Sequence, residues 1–309
     1  MKKLLLLFAF LLFSHYIAAQ QIQQLSQYMV NDFAYNPGVT GNDNLFVSKF
    51  AYRKQWVGIE GSPSTAILSV HGNLDTNKKI GVGGMLYSDV TGPTRRTGLQ
   101  LSYAYHIPLD VTAETFLGLG IAGNFLQYGI DFNDLVLYDP TDTQIGVGRT
   151  SSIGADANLG AYLRHTENEV TQYYVGFAVN QLFASKFKFD SDFENIRNAR
   201  HAYIMGGYKF AASEKLDFEP GVLGKFVKGT RAQAELNLKA IYDDQYWLGL
   251  SYRTEDALAI LLGFDLSQGF NFTYSYDITT SALNAVSSGS HEITIGYNFY
   301  VAPLGKDKK

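Results

Sequence analysis

From residue 44 onward the chain repeats one pattern about 14 times: roughly ten residues of alternating apolar and polar side chains, then a turn or a loop. In 97–107, Leu99, Leu101, Tyr103, Tyr105 and Ile107 alternate with Gln100, Ser102, Ala104 and His106. In 231–241, Ala232, Ala234, Leu236, Leu238 and Ala240 alternate with Gln233, Glu235, Asn237 and Lys239. The same period governs 257–266 (Leu258, Ile260, Leu262, Phe264, Leu266), 269–277 (Phe270, Phe272, Tyr274, Tyr276) and 291–299 (Ile293, Ile295, Tyr297, Phe299). A period of two sends one set of side chains to each face of a sheet. The repeat predicts strands near 44–54, 64–73, 79–88, 97–107, 113–123, 152–163, 171–180, 200–210, 214–225, 230–241, 245–253, 257–266, 268–277 and 290–299. No stretch after residue 19 approaches ~18 uninterrupted apolar residues, so a helical membrane span is not expected.

The connections alternate in length. The second, fourth, eighth, tenth and twelfth are tight and carry turn chemistry: Asp75–Lys78, Asp110–Thr112, Ala211–Ser213, Asp243–Asp244 and Ser267. The sixth, around His165–Val170, is slightly longer. The others include Gln55–Pro63, Ser88–Arg96, Asn124–Ser151, Phe183–Ala199 and Ile278–Gly289. Short turns on one side and long loops on the other are what an all-β transmembrane antiparallel barrel of about 14 strands produces. Charges such as Glu235 and Lys239 then face the lumen, because on the lipid face each would cost a few kcal/mol.

The ends fit an exported protein. Met1-Lys2-Lys3, the apolar run Leu4–Phe13 and Ile17-Ala18-Ala19 before Gln20 read as a signal peptide over 1–19. The rest divides into an N-terminal periplasmic segment, 20–43, a barrel, 44–300, and a tail, 301–309. In 20–43, Ile22, Leu25, Tyr28 and Met29 have short helical spacing. That suits a plug against or inside the periplasmic mouth, or a flexible lead-in. Without Lys2 and Lys3 the 25 basic residues become 23 against 29 acidic, a net charge of −6, and no basic run suggests nucleic acid. Zero cysteines exclude disulfides and thiolate metal sites. The 21 Tyr and 21 Phe suit aromatic girdles at two membrane interfaces. A soluble β-sandwich also uses such residues, but the length and strand number favour one barrel.

Catalytic signatures are weak. Gly118-Leu119-Gly120-Ile121-Ala122-Gly123 matches a dinucleotide-binding glycine pattern but lies inside an alternating strand without a following helix. Small residues on a barrel wall, leaving room for lumen side chains or a plug, are the better reading. His165, Glu167 and Glu169 share a turn without metal-site character. His106 faces inward as an ordinary lumen histidine. No serine sits in a nucleophile elbow. No catalytic residue, metal or cofactor is therefore expected. Arg53, Trp56, Glu60 and Pro63 are the strongest partner-binding candidates, since Trp and Arg are favoured interface anchors. The alternative puts Trp56 in the aromatic girdle and Arg53 in a pair inside the barrel. Asp89, Gly92 and Pro93 form the next outer connection and could adjoin them. His106, Gln233, Glu235, Asn237 and Lys239 are expected to face the lumen.

Several stretches together resemble the PorP/SprF family of Bacteroidetes outer-membrane proteins, linked to type IX secretion. They are Gln27-Tyr28-Met29 with Tyr35-Asn36-Pro37-Gly38 and Gly41-Asn42; Arg53-Lys54-Gln55-Trp56-Val57-Gly58-Ile59-Glu60-Gly61-Ser62-Pro63; Gly81–Asp89 with Thr91-Gly92-Pro93; Ser102–Leu109; and the closing Glu292–Phe299. The resemblance implies a non-enzymatic protein of the cell outer membrane. Its partners would be an exported protein with a type IX C-terminal signal domain, other secretion components and outer-membrane lipid. The role implied is to help export or hold a cell-surface protein such as a gliding adhesin. The rival reading is a diffusion porin or small-solute channel, with a barrel phospholipase behind it.

Overall fold

The computed structural model describes residues 23–301 except 44, 76–77, 113, 135–147, 168–169, 190–195 and 267. Fourteen antiparallel strands close into one barrel. They are β1 (Phe46–Lys54), β2 (Ser64–Asn73), β3 (Ile80–Thr91), β4 (Thr94–Pro108), β5 (Thr115–Asp131), β6 (Arg149–Glu167), β7 (Val170–Asn180), β8 (His201–Tyr208 and Phe210–Ser213), β9 (Leu216–Val227), β10 (Gln233–Tyr242), β11 (Tyr246–Arg253), β12 (Ala257–Asp265), β13 (Phe270–Thr279) and β14 (Ser290–Phe299). Each strand pairs with its neighbour in sequence, and β1 closes the barrel on β14 from Phe46↔Phe299 to Lys54↔His291. The two parts of β8 both pair with β9 and are one strand interrupted at Lys209, whose ammonium is held by Asp217 at 2.9 Å and Asp244 at 3.2 Å.

Alternation decides which face each side chain takes. On β11, Tyr246, Leu248, Leu250 and Tyr252 are exposed outward while Trp247, Ser251 and Arg253 are buried inside. On β5, Leu119, Ile121 and Phe125 face out, and the even-numbered residues from Phe116 to Ile130 are buried. Outward aromatics gather near the turn end: Tyr246 meets Phe264 at 5.9 Å between ring centroids and Phe270 meets Tyr297 at 4.5 Å. Amphipathic rings at that height suit a membrane interface.

Short connections close one end, the turn end. Asp110 shows their chemistry: it accepts from the amides of Glu114 (2.9 Å) and Thr115 (2.8 Å). Bonding from Thr115 and its neighbours holds this carboxyl below the usual carboxylate range. The opposite end, the loop end, is uneven. The expected loop Ser88–Arg96 is mostly strand, because β3 and β4 stay paired up to Thr91↔Thr94 and turn at Gly92-Pro93. Likewise β5 and β6 take up both ends of Asn124–Ser151, residues 124–131 and 149–151, and pair up to Asp131↔Arg149. The turn-prone Gly, Ser and Thr residues there, such as Ser88, Thr94, Gly129 and Ser151, lie in extended strands because the ladder satisfies their backbone groups. At 17 and 19 residues these strands rise well beyond β11, which has 8.

Candidate functional site

The segment Gln23–Asp43 occupies the lumen. It begins at the loop end, where Gln24 Nε2 donates to Gln233 Oε1 at 3.1 Å. It descends through two short 3-10 turns, Asp32–Ala34 and Pro37–Val39, and meets the turn end at Gly41, beside Gly72 and Gly81. It thus runs along the lumen rather than only against one mouth. Leu25, Tyr28, Phe33, Tyr35 and Val39 are buried and join one core with Tyr87, Tyr162, Tyr203 and Met205 of the wall. Asn36 starts the second 3-10 turn by accepting the Gly38 amide at 2.8 Å.

The lower half of the segment lies against glycines. A Cβ at Gly120 would sit 2.1 Å from Pro37 O, at Gly118 2.3 Å from Gly38 O, at Gly160 2.0 Å from Asn36 Oδ1 and at Gly81 1.9 Å from Thr40 O. Only a residue without a side chain permits such backbone approach. Two glycines of the G-x-G-x-x-G pattern are therefore packing surface for the segment. His106 Nε2 donates to Thr40 O at 2.8 Å, and the Gly41 amide donates to His71 Nδ1 at 3.3 Å.

The upper half is held by charge. Arg53 is 1% exposed; its Nη2 reaches Asp277 Oδ2 at 2.8 Å and its Nη1 reaches Glu292 Oε2 at 3.1 Å. Arg253 pairs with Glu235 at 2.9 Å and with Asp256 at 2.8 Å. Ser26 lies between the two guanidinium groups. Its hydroxyl accepts from Arg53 (2.6 Å) and Arg253 (2.8 Å) and donates to Asp277 (2.5 Å), while its amide donates to Glu292 Oε2 at 2.7 Å. Gln27 adds a bond to Glu292 O at 2.9 Å. Desolvating so many charges is costly, and dense mutual bonding offsets that cost. Further down, Asn237 donates to the Tyr28 hydroxyl and Lys49 to Val30 O.

The sequence candidates separate. Arg53 lies inside the lumen and shares no surface with Trp56 and Glu60. Glu60 is exposed on the first loop, and Trp56 is half-buried there with φ +46°, a conformation unusual for so large a residue. The Trp56 amide donates to Ser290 Oγ at 3.1 Å, and Val57 and Ser288 bridge this loop to Ile278–Gly289 at 2.7 Å. Gly92 N donates to Gly61 O at 2.8 Å, so the β3–β4 hairpin with Gly92 and Pro93 adjoins the first loop near half-buried Pro63. Asp89 accepts from Thr65 Oγ1 at 2.6 Å. His106, Gln233, Glu235, Asn237 and Lys239 all point inward; Gln233 holds Gln24, and Lys239 pairs with Glu219 at 2.8 Å. Ser26, Gln27, Arg253, Asp277 and Glu292 were not among the candidate site residues. Gln27 and Glu292 entered only through the family-like stretches; for Arg253, Asp277 and Glu292 the sequence signal is polarity at inward positions of alternating strands, and Ser26 carries none. Among the described residues, no group of three His, Asp or Glu side chains converges as a metal site would require.

A family model described as type IX secretion system membrane protein PorP/SprF matches residues 17–297. The chain belongs to the PorP/SprF family. Among curated proteins, no relative matches the sequence. Two solved structures share the fold of this PorP/SprF member. A FadL homologue from Pseudomonas aeruginosa aligns with a TM-score of 0.50 at 9% identity, over 87% of this chain and 94% of that one. The CymD monoaromatic hydrocarbon channel aligns with a TM-score of 0.52 at 14% identity, over 92% and 95%. At such identities the likeness concerns the barrel alone. Family and fold together make this a type IX secretion membrane protein of the cell outer membrane. The family is one of secretion membrane proteins.

Proposed function

We propose that this barrel is a plugged binding and anchoring partner for a cognate exported protein. Short turns face the periplasm and long loops the exterior in such barrels, so the loop end meets exported protein. The observation that carries the reading is the buried segment Gln23–Asp43, tied at Ser26 by Arg53, Arg253, Asp277 and Glu292 and seated on glycines below. A lumen filled along its length suits a binding protein better than a diffusion porin. The loop end captures the C-terminal signal domain of the exported protein, with Trp56, Glu60, Pro63 and the Gly92-Pro93 turn on the contact surface. The connections β5–β6 and β7–β8 supply selectivity for one cargo, an adhesin or other cell-surface protein. Other secretion components contact the same barrel.

The test is affinity purification of the tagged protein from gently solubilised outer membranes. One large exported protein with a type IX C-terminal domain is expected to co-purify. A barrel recovered alone, repeatedly and in good yield, would overturn the reading.

A further inference from the structure

The wall of the barrel steps down between β6 and β7. On one edge β6 pairs with β5 along its whole length, from Thr115↔His165 to Asp131↔Arg149. On the other edge its ladder with β7 reaches up only to Leu159↔Val179. Above that point the chain leaves the ladder. Gln181 and Ala184 both have left-handed backbones, φ +58° and +49°, which non-glycine residues rarely adopt. Asp156 and Asn158 capture the departing chain: Asn158 Oδ1 accepts from the Gln181 amide (2.9 Å), and Asp156 accepts from the amides of Phe183 (2.8 Å) and Ser185 (3.0 Å). The last contacts on this edge are Leu182 N–H to Ala157 O at 2.9 Å and the Ser185 hydroxyl to Ala155 O.

Those contacts fix the direction of every backbone group above them. Ala155 and Ala157 turn their carbonyls to this edge, whereas Gly148 turns its carbonyl to the β5 side, where Phe132 N–H donates at 2.8 Å. The N–H and C=O groups of Arg149, Ser151 and Ile153 therefore point at the open edge. Among the described residues, none bonds to them there. Their side chains are exposed on the outer face, Ile153 at 75%. The inner face at Gly154 is covered by Phe187, whose ring would lie 2.7 Å from an added Cβ. Exposed strand edges are ordinarily blunted by proline, lysine or a bulge. The run Thr150-Ser151-Ser152-Ile153-Gly154-Ala155 has none, and Arg149 at its tip pairs with Asp131.

We propose that the open edge of β6, Arg149 to Ile153, is a strand-addition site that takes an extended backbone segment of the exported partner antiparallel to β6. This rests on the binding role proposed above and supplies its mode. Alternating donors and acceptors over about 15 Å are matched only by another extended chain. The added strand continues upward the ladder that β7 occupies below, and its outward apolar residues lie beside Ile153.

The test uses the full-length protein and a labelled octapeptide of alternating threonine and valine. Proline at 151 and 153 removes two edge amides and leaves the β5 ladder intact, because only even-numbered residues of β6 bond to β5. S151P/I153P is expected to weaken peptide binding at least tenfold. I153S, which keeps both amides, should change it less than threefold. Amide exchange at Ser151 and Ile153 of the unaltered protein should slow when peptide is added, a readout independent of how the proline variant folds. Equal binding by S151P/I153P, or no slowing of exchange, would overturn the proposal. So would a proline-sensitive dimer of the protein alone, which would give the edge to a second copy. If the exported protein co-purifies equally with S151P/I153P, the edge is not its site while the anchoring role stands. If nothing co-purifies with the unaltered protein, the anchoring role itself fails, and this proposal with it.

Discussion

Arg53 shows how far a residue's role departs from its neighbourhood in sequence. It lies three positions before Trp56, and proximity groups the two on one loop. Strand parity separates them, since Arg53 shares the inward face with Val47 and Ala51. Its acidic partners, Asp277 and Glu292, lie 224 and 239 residues away, beyond anything the local pattern encodes. Replacing Arg53 by alanine leaves buried Glu292 without its cation and Asp277 with only the longer contact to Arg253, at 3.5 Å. A loss of about 3–5 kcal/mol is expected, read as a lower urea unfolding midpoint. Trp56 departs differently: its φ of +46° has no signature in composition or period. Glycine adopts that conformation without strain. Trp56→Gly should therefore keep the unfolding midpoint and lower the yield of co-purified partner at least fivefold. An unchanged yield would remove Trp56 from the contact surface.

At the scale of elements, the period of two located every strand of the barrel, and alternating connection lengths located its two ends. The tops of β3 to β6 were misjudged because glycine, serine and threonine there signal loops locally, while the paired ladder keeps them extended. The path of Gln23–Asp43 was legible only as an amphipathic stretch, because what fixes it is the facing wall. Gly120→Ala tests that contact. Its methyl would meet Pro37 O, and limited proteolysis should then cut within 23–43. Gly123, with open space around it, is the control, and Gly123→Ala should leave the segment protected.

The whole molecule follows from two solvents, one on each side of one wall. Outside, leucine, isoleucine, valine and ring side chains meet lipid; inside, buried polar groups bond the segment and one another. Leu250→Arg on the lipid face should cost about 2–4 kcal/mol if it lies near mid-membrane, seen as a loss of folded protein in the outer membrane. The segment Gln23–Asp43 fills the lumen, and a barrel closed by its own chain should not conduct. Conductance of the purified protein in a planar bilayer tests this most directly. The unaltered barrel should be silent, and a variant lacking residues 23–43 should open steady, channel-sized steps. A large steady conductance from the unaltered protein would contradict a closed lumen and support the porin reading.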